Sequence, residues 1–331
     1  MMIQHREPNI KSPQSPFSSY RRRWLVMLLA LLLDGTLDEL PNRWHPVAWL
    51  GSLLAVARHH APVAGHVSPF LYGLAVVSFG GLLCAAVGRR MGQLIASTPT
   101  LVGLLVEAFL LKQTLALRGL GRAGEAVATP LAAGELEEAR QQLSWHLVSR
   151  DTKMLNPHQI AAATVESVAE NTSDSVVAPL FYYGLFGLTG AFVYRYLNTI
   201  DAMWGYHDEV HEWLGKAGAR ADDLANLCPS RLTALLLIAA SGRQMKQAWH
   251  IWQRDHRLTA SPNAGHPMSA MAGALGVELV KLDHYQLGKG LSKPTSAHIG
   301  LGIQLMRRAV ALGICLGGLW AGWQIVTRRR I

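Results

Sequence analysis

Apolar runs of membrane length alternate with polar blocks along this chain. Residues 67–87 form a clean apolar stretch closed by Arg89 and Arg90; residues 176–197 form another, and residues 309–327 a third that ends on Arg328, Arg329 and Arg330. A helix crosses a bilayer with about 20 apolar residues, so all three are expected to span. Residues 24–33 are too short to cross alone, but they continue through a polar loop into an apolar stretch at 47–57. A short hydrophobic helix, a loop and an amphipathic piece therefore place a further embedded region near 24–57. Residues 101–111 are also apolar, yet Glu107, Lys112 and Arg118 predict a helix packed on protein rather than on lipid. The 232–240 run is too short for a straightforward crossing. Residues 243–257 are basic and carry Trp249 and Trp252, which suits a helix at the membrane–water interface.

Three polar blocks separate these runs. In the first, residues 149–174, the pattern from Pro157 to Asn171 reads as helix and sets Glu166 and Glu170 one turn apart on one face. Like charges at that spacing cost a helix about 0.2–0.5 kcal/mol, and a cation between them would reverse the sign. The second block covers residues 198–232 and the third residues 261–277, where Pro, Asn and Gly set turns ahead of a tightly packed small-residue helix. Residues 1–20 are Pro/Ser-rich and read as a disordered tail. The rest, 21–331, reads as one all-α, multi-pass integral membrane domain whose polar loops and helices form a composite site at the membrane surface.

Composition supports that class. Half of the 331 residues are hydrophobic, 16% are charged and mean hydropathy is +0.16, against about 25% charged in ordinary soluble domains. The net charge of +9 is concentrated in arginines flanking apolar runs, the arrangement of positive-inside anchors, so both ends are expected on the cytoplasmic side. A re-entrant or tilted packing of one run would then keep all three blocks on one face. A nucleic-acid surface would need clustered Lys/Arg with aromatics, and none is present. Cys84, Cys228 and Cys315 have neither metal-ligand spacing nor the pattern of a disulfide framework.

Gly119, Gly121 and Gly124 spell a Gly-x-Gly-x-x-Gly, but no strand precedes them, as a dinucleotide site requires. His207 and His211 share a helical face, yet Asp208, not glutamate, follows the first histidine, so the zinc-protease helix is not met. What remains is a set of carboxylates (Glu166, Glu170, Asp174, Asp201, Asp222, Asp223), amides (Asn171, Asn198, Asn226, Asn263) and two cations, Arg150 and Arg231. Oxygen donors with few soft ligands point to Mg²⁺, and arginine beside them suits phosphate oxygens. The residues alone thus indicate phosphate chemistry at a membrane surface.

The wording of the blocks is more specific. Residues 45–51 (HPVAWLG), 149–152 (SRDT), 165–183 (VESVAENTSDSVVAPLFYY), 198–206 (NTIDAMWGY), 221–234 (ADDLANLCPSRLTA) and 261–277 (SPNAGHPMSAMAGALGV) resemble the CobD/CbiB family, in order, from about residue 29 to 302. These are membrane adenosylcobinamide-phosphate synthases of cobalamin assembly. The resemblance implies an ATP-dependent amide ligation at the bacterial inner membrane, active face cytoplasmic. Adenosylcobyric acid, a corrinoid taken as substrate rather than prosthetic group, would be joined to aminopropanol phosphate or ethanolamine phosphate with Mg²⁺ and ATP. Expected partners are these substrates, the lipid bilayer and other late cobalamin-assembly enzymes, with no nucleic acid.

On that resemblance, Glu166, Glu170, Asp174, Arg150 and Asp151 are the candidate catalytic residues. Glu166, Glu170, Asp222 and Asp223 are the candidate metal ligands, with Asp201 beside the latter pair. Asn171, Asn198, Asp201, Tyr206, Arg231, Ser261, Asn263 and His45 are the candidate substrate-binding residues. The sequence departs from the family pattern at Asp38-Glu39-Leu40, at Ala202 and Trp204, and over residues 279–283, without losing an assigned carboxylate. A non-catalytic inner-membrane regulator on the same scaffold, like a relative linked to β-lactamase induction, is the alternative; it would be free to lose the acids and amides kept here. A transporter is a third reading, but these acids lie mostly outside the apolar runs.

Overall fold

A computed structural model describes residues 16–63, 65–205 and 212–328, with side chains described for 20–63, 65–205 and 212–321. The described residues form thirteen α-helices and one two-stranded hairpin: α1 (Pro16–Thr36), α2 (Pro46–His59), α3 (Val67–Ala96), α4 (Thr100–Lys112), α5 (Leu117–Ala133), α6 (Leu136–His146), α7 (Pro157–Thr172), α8 (Ala178–Phe186), α9 (Leu188–Trp204), α10 (Glu212–Ala240), α11 (Met245–Asp255), α12 (Gly265–Leu275), β1 (Leu279–Lys281), β2 (Tyr285–Leu287) and α13 (Ser296–Arg328). Four stretches are long and apolar enough to cross a membrane: Val67–Ala96, Thr100–Ala133, Glu212–Ala240 and Ser296–Ala321. Their outward faces are apolar, with Leu71, Phe79 and Leu82 of α3, Leu101 and Val102 of α4, and Leu319 and Trp320 of α13 all exposed. So large an unpartnered apolar surface belongs against lipid. The protein is an all-α, multi-pass membrane protein.

The 176–197 run is not a single helix. It begins inside a π-helical turn, Ser173–Val177, and breaks at Gly187, whose φ of 65° and ψ of −152° suit only glycine. The result is two short helices, α8 and α9, folded back on each other. The 232–240 run is instead the apolar end of the 29-residue α10, whose other half carries the charges of the second polar block. Helix α11 packs along α12, and the Trp252 indole donates to His266 Nδ1 at 3.0 Å; Trp249 stays exposed.

Helix α7 lies at the centre. A capping box starts it: the Asn156 side chain accepts from the Gln159 N–H while Gln159 Oε1 accepts from the Asn156 N–H, and Pro157 fills the first turn. Its small residues, Ala161 to Ala163, are buried against α5, α12 and α13. The Gly119–Gly124 pattern has a packing reason. A Cβ on Gly124 would meet Ile303 Cδ1 at 2.9 Å, and one on Gly121 would meet Arg307 Nη2 at 2.9 Å, so α5 sits directly on α13. Helix α12 is buried along its length and crosses α11 so closely that a Cβ on Gly273 would lie 2.7 Å from Ala248 Cα. The hairpin pairs Leu279 with Leu287, both fully buried.

Candidate functional site

The end of α7, the π turn, α9, α10 and the loop before α12 enclose a cavity of about 320 Å³. Its lining includes Glu170 and Asp174, Asp201 of α9, Asp222 and Asp223 of α10, and Ser261 and Asn263. Five carboxyl groups from the first two polar blocks therefore meet in one chamber with Ser261 and Asn263 of the third, along with Ser173 and Asn226. Burial raises the pKa of Asp174 well above the usual carboxylate range, and Asp222, Glu170 and Asp201 push it further, with Arg195 opposing. Burial also raises Glu170, with Lys281 opposing and Asp201 adding to the rise. Two buried oxygens have no hydrogen-bond partner, Asp222 Oδ1 and Ser173 Oγ, while Asp222 Oδ2 accepts from Asn226 Nδ2 at 3.0 Å. Buried acceptors left bare are costly; these are placed to receive a cation or a donor.

Among the described residues, no three His, Cys, Asp or Glu side chains converge closely enough to hold a metal by themselves. The donor set is all hard oxygen, which fits Mg²⁺ of the kind that uses one or two carboxylates plus substrate phosphates. It does not fit a fully protein-ligated structural ion.

A wider cavity of about 650 Å³ lies on the other side of α7, lined by Asp34, Asp38 and Glu39, by Arg118 and Arg122 of α5, and by Asn171 and Ser175. Its charges are partly spent on each other: Arg122 Nη1 donates to Asp38 Oδ1 at 2.7 Å and Arg118 Nη1 lies 3.3 Å from the same oxygen, while Asp34 Oδ2 accepts the Arg118 backbone N–H at 2.9 Å. Helical spacing makes this two-sided wall possible: Glu170, Ser173 and Asp174 stand at i, i+3 and i+4 and face one chamber, while Asn171 and Ser175, at i and i+4, face the other.

Other expected site residues lie elsewhere. Glu166 is buried near Arg150, Tyr285 and Lys281 and is not among the side chains that line the acidic chamber; its Oε1 has no hydrogen-bond partner. Burial lifts its pKa to about 7, with Arg150 opposing. Asp151 is exposed and accepts the Lys153 N–H at 2.9 Å, a turn-forming bond. His45 caps α2, its Nδ1 accepting from the Val47 N–H. Arg231 Nη1 donates to Leu227 C=O at 2.8 Å and to Asn263 Oδ1 at 3.3 Å, at the chamber's rim. Asn263 Nδ2 donates to the Asp223 C=O at 2.7 Å, and Ser261 Oγ accepts from the Asn263 and Ala264 N–H groups, so the third block is tied to α10. Asn198 Oδ1 accepts from Arg195 Nη1 at 3.4 Å. Tyr206, like His207 and His211, lies outside the described residues. Reasoning from sequence missed Arg195, Ser173, Lys281 and Tyr285; the first is a lone charge inside an apolar run, which was the available signal.

Fold and chamber together define a polytopic membrane protein with an internal carboxylate-lined site. The chain belongs to the CobD/CbiB family, whose model, described as CobD/Cbib protein, matches residues 27–312. It is similar to the cobalamin biosynthesis protein CobD of Geobacter metallireducens, 40% identical over 284 residues that cover 82% of this chain and 85% of the relative. The CobD proteins of Chromobacterium violaceum and Dehalococcoides mccartyi are 39% and 37% identical, each covering 88% of this chain and 95% of the relative. No solved structure matches it.

Proposed function

We propose that this protein acts in cobalamin biosynthesis as the ATP-dependent ligase that joins adenosylcobyric acid to aminopropanol phosphate or ethanolamine phosphate. The observation that carries this reading is the chamber in which Glu170, Asp174, Asp201, Asp222 and Asp223 converge beside unpartnered buried oxygens. A regulator with no chemistry to perform has no use for so costly an arrangement. Membership of a family whose relatives are named for cobalamin biosynthesis supports a step in that pathway.

The reaction balances as two displacements. A carboxylate oxygen of the acid attacks the γ-phosphorus of ATP, the bond to the β–γ bridging oxygen breaks, and ADP leaves with the electron pair. The amine nitrogen then attacks the acyl carbon, inorganic phosphate departs, and the nitrogen loses a proton. Asp222 and Asp223 would hold Mg²⁺, which would supply neutralisation of phosphate charge. The chain's own residues do the rest. Glu170 and Asp174, both in the chamber wall, bind the amine end and, as carboxylates, accept its proton. Arg231, with Asn263 and Ser261 at the rim, takes phosphate oxygens. Enclosure by α9, α10 and the α12 loop holds the reactants together.

The test is purified protein in detergent with ATP, Mg²⁺, adenosylcobyric acid and each amino alcohol phosphate, the corrinoid being followed by mass spectrometry. Appearance of the amide with stoichiometric ADP is the expected result. Absence of amide with either amine overturns the reading.

A further inference from the structure

Arg195, on α9, belongs to neither polar cluster read from the sequence, yet it stands where the two cavities approach each other. Its Nη1 reaches Ser175 Oγ, in the lining of the wide cavity, at 3.5 Å. The same nitrogen reaches Asn198 Oδ1 at 3.4 Å. The carboxylates whose charge acts on it are Asp174 on the acidic side and Glu39 on the wide side. The group is poorly spent for a guanidinium in the protein interior. Both hydrogen bonds are at the long limit for N–H···O contacts, and the Nε–H is sealed from solvent without any partner. Arginine has five donors in a fixed fork, and a buried donor left unmade carries a penalty. A forked, under-used cation suits a planar oxyanion, to which it can give two parallel bonds.

The acidic chamber offers an incoming carboxylate no counter-charge of its own, since its lining carries five carboxyl groups. Arg231, bonded to Leu227, Ser230 and Asn263, is the cation assigned above to phosphate oxygens. The wide cavity is the roomier approach for the side arm of a large acid, and Arg195 stands behind its wall, in contact with Ser175 of that lining.

We propose that Arg195 receives the carboxylate of the acid substrate where the two cavities meet, and presents it to the acidic chamber. This rests on the ligase reading above and adds to it the residue that docks the acyl group and the side from which that group enters.

The experiment measures binding apart from turnover. Equilibrium dialysis in detergent compares adenosylcobyric acid with the same corrinoid carrying a primary amide in place of the free carboxylate, for the wild type, Arg195→Met and Arg195→Lys. The wild type should prefer the acid. Arg195→Met should weaken the acid at least tenfold and leave the amide within twofold, and Arg195→Lys, which keeps the charge but loses the fork, should fall between. Equal weakening of both corrinoids, or an unchanged acid affinity, overturns the proposal, as does a loss confined to ATP or the amino alcohol phosphate. Should Arg195→Met not fold, Arg195→Lys decides by the same comparison. The two readings fail separately. Acid–amide discrimination that depends on Arg195 without amide formation in the wild type sinks the ligase and keeps the docking site; product formation without that discrimination does the reverse.

Discussion

The carboxyl of Glu166 couples protonation to folding in a way that can be measured. It lies on the buried face of α7 with one oxygen unpartnered, and burial raises its pKa from 4.5 to about 7 despite Arg150, Tyr285 and Lys281 nearby. The native state therefore holds the proton more tightly than the unfolded chain. Stability from this group is fully present below the unfolded value and is lost as pH rises through the folded one. The gap between the two values, converted at 1.36 kcal/mol per pH unit, amounts to about 3 kcal/mol. Glu166→Gln keeps the shape and removes the titration. Denaturation in detergent, followed by intrinsic fluorescence from about pH 5 to about pH 8.5, should show the variant gaining on the wild type by up to about 3 kcal/mol across that range. Glu170, whose charge adds to the rise at Glu166, is present in both proteins, so the difference reads Glu166 together with its coupling to Glu170. A constant difference between the two proteins would refute the reasoning, because it would mean that Glu166 is ionised, or neutral, equally in both states.

Three further outcomes follow. Asp174→Asn and Asp222→Asn should each lower kcat for amide formation at least about 100-fold, the scale of a lost general base or metal ligand, with unchanged elution from size exclusion; near-normal rates would remove these residues from the chemistry. Gly273→Ala should destabilise by about 1–3 kcal/mol, the scale of overpacking, because the new methyl would sit 2.7 Å from Ala248 Cα; an unshifted unfolding midpoint would show that α11 and α12 separate easily. Asn156→Ala should cost about 1 kcal/mol by removing the acceptor of the α7 capping box, read as a lower midpoint without any change in the acid–amide binding ratio.

The site was legible in the sequence to the extent that its chemistry lay in polar words. Glu170, Asp174, Asp201, Asp222, Asp223, Ser261 and Asn263 stand out against an apolar background, and the structure gathers them in one chamber. Glu166 was read with Glu170 because a regular helix stacks residues four apart, but neighbouring elements divide that face: the hairpin covers Glu166, and the chamber takes Glu170. The wide cavity was hidden because Asp34, Glu39, Arg118 and Asn171 are scattered over four segments with no common spacing. The break at Gly187 left no mark in hydropathy, since a glycine with positive φ is as apolar as one inside a span. Arg195 does leave a mark, one charge amid apolar neighbours, but it lies outside all three polar blocks.

The helical segment whose consecutive residues face opposite chambers has a consequence for genetics. Along residues 170–175, neighbours in the chain report on different ligands: Glu170, Ser173 and Asp174 on whatever occupies the acidic side, Asn171 and Ser175 on whatever occupies the wide side. Substitutions scanned one at a time through this segment will not give a single hot region. They will sort into two interleaved phenotypes that alternate with the turn of the helix. Suppressors of a defect at Asn171 should then map to α5 and the segment around Glu39, not to the residue next door.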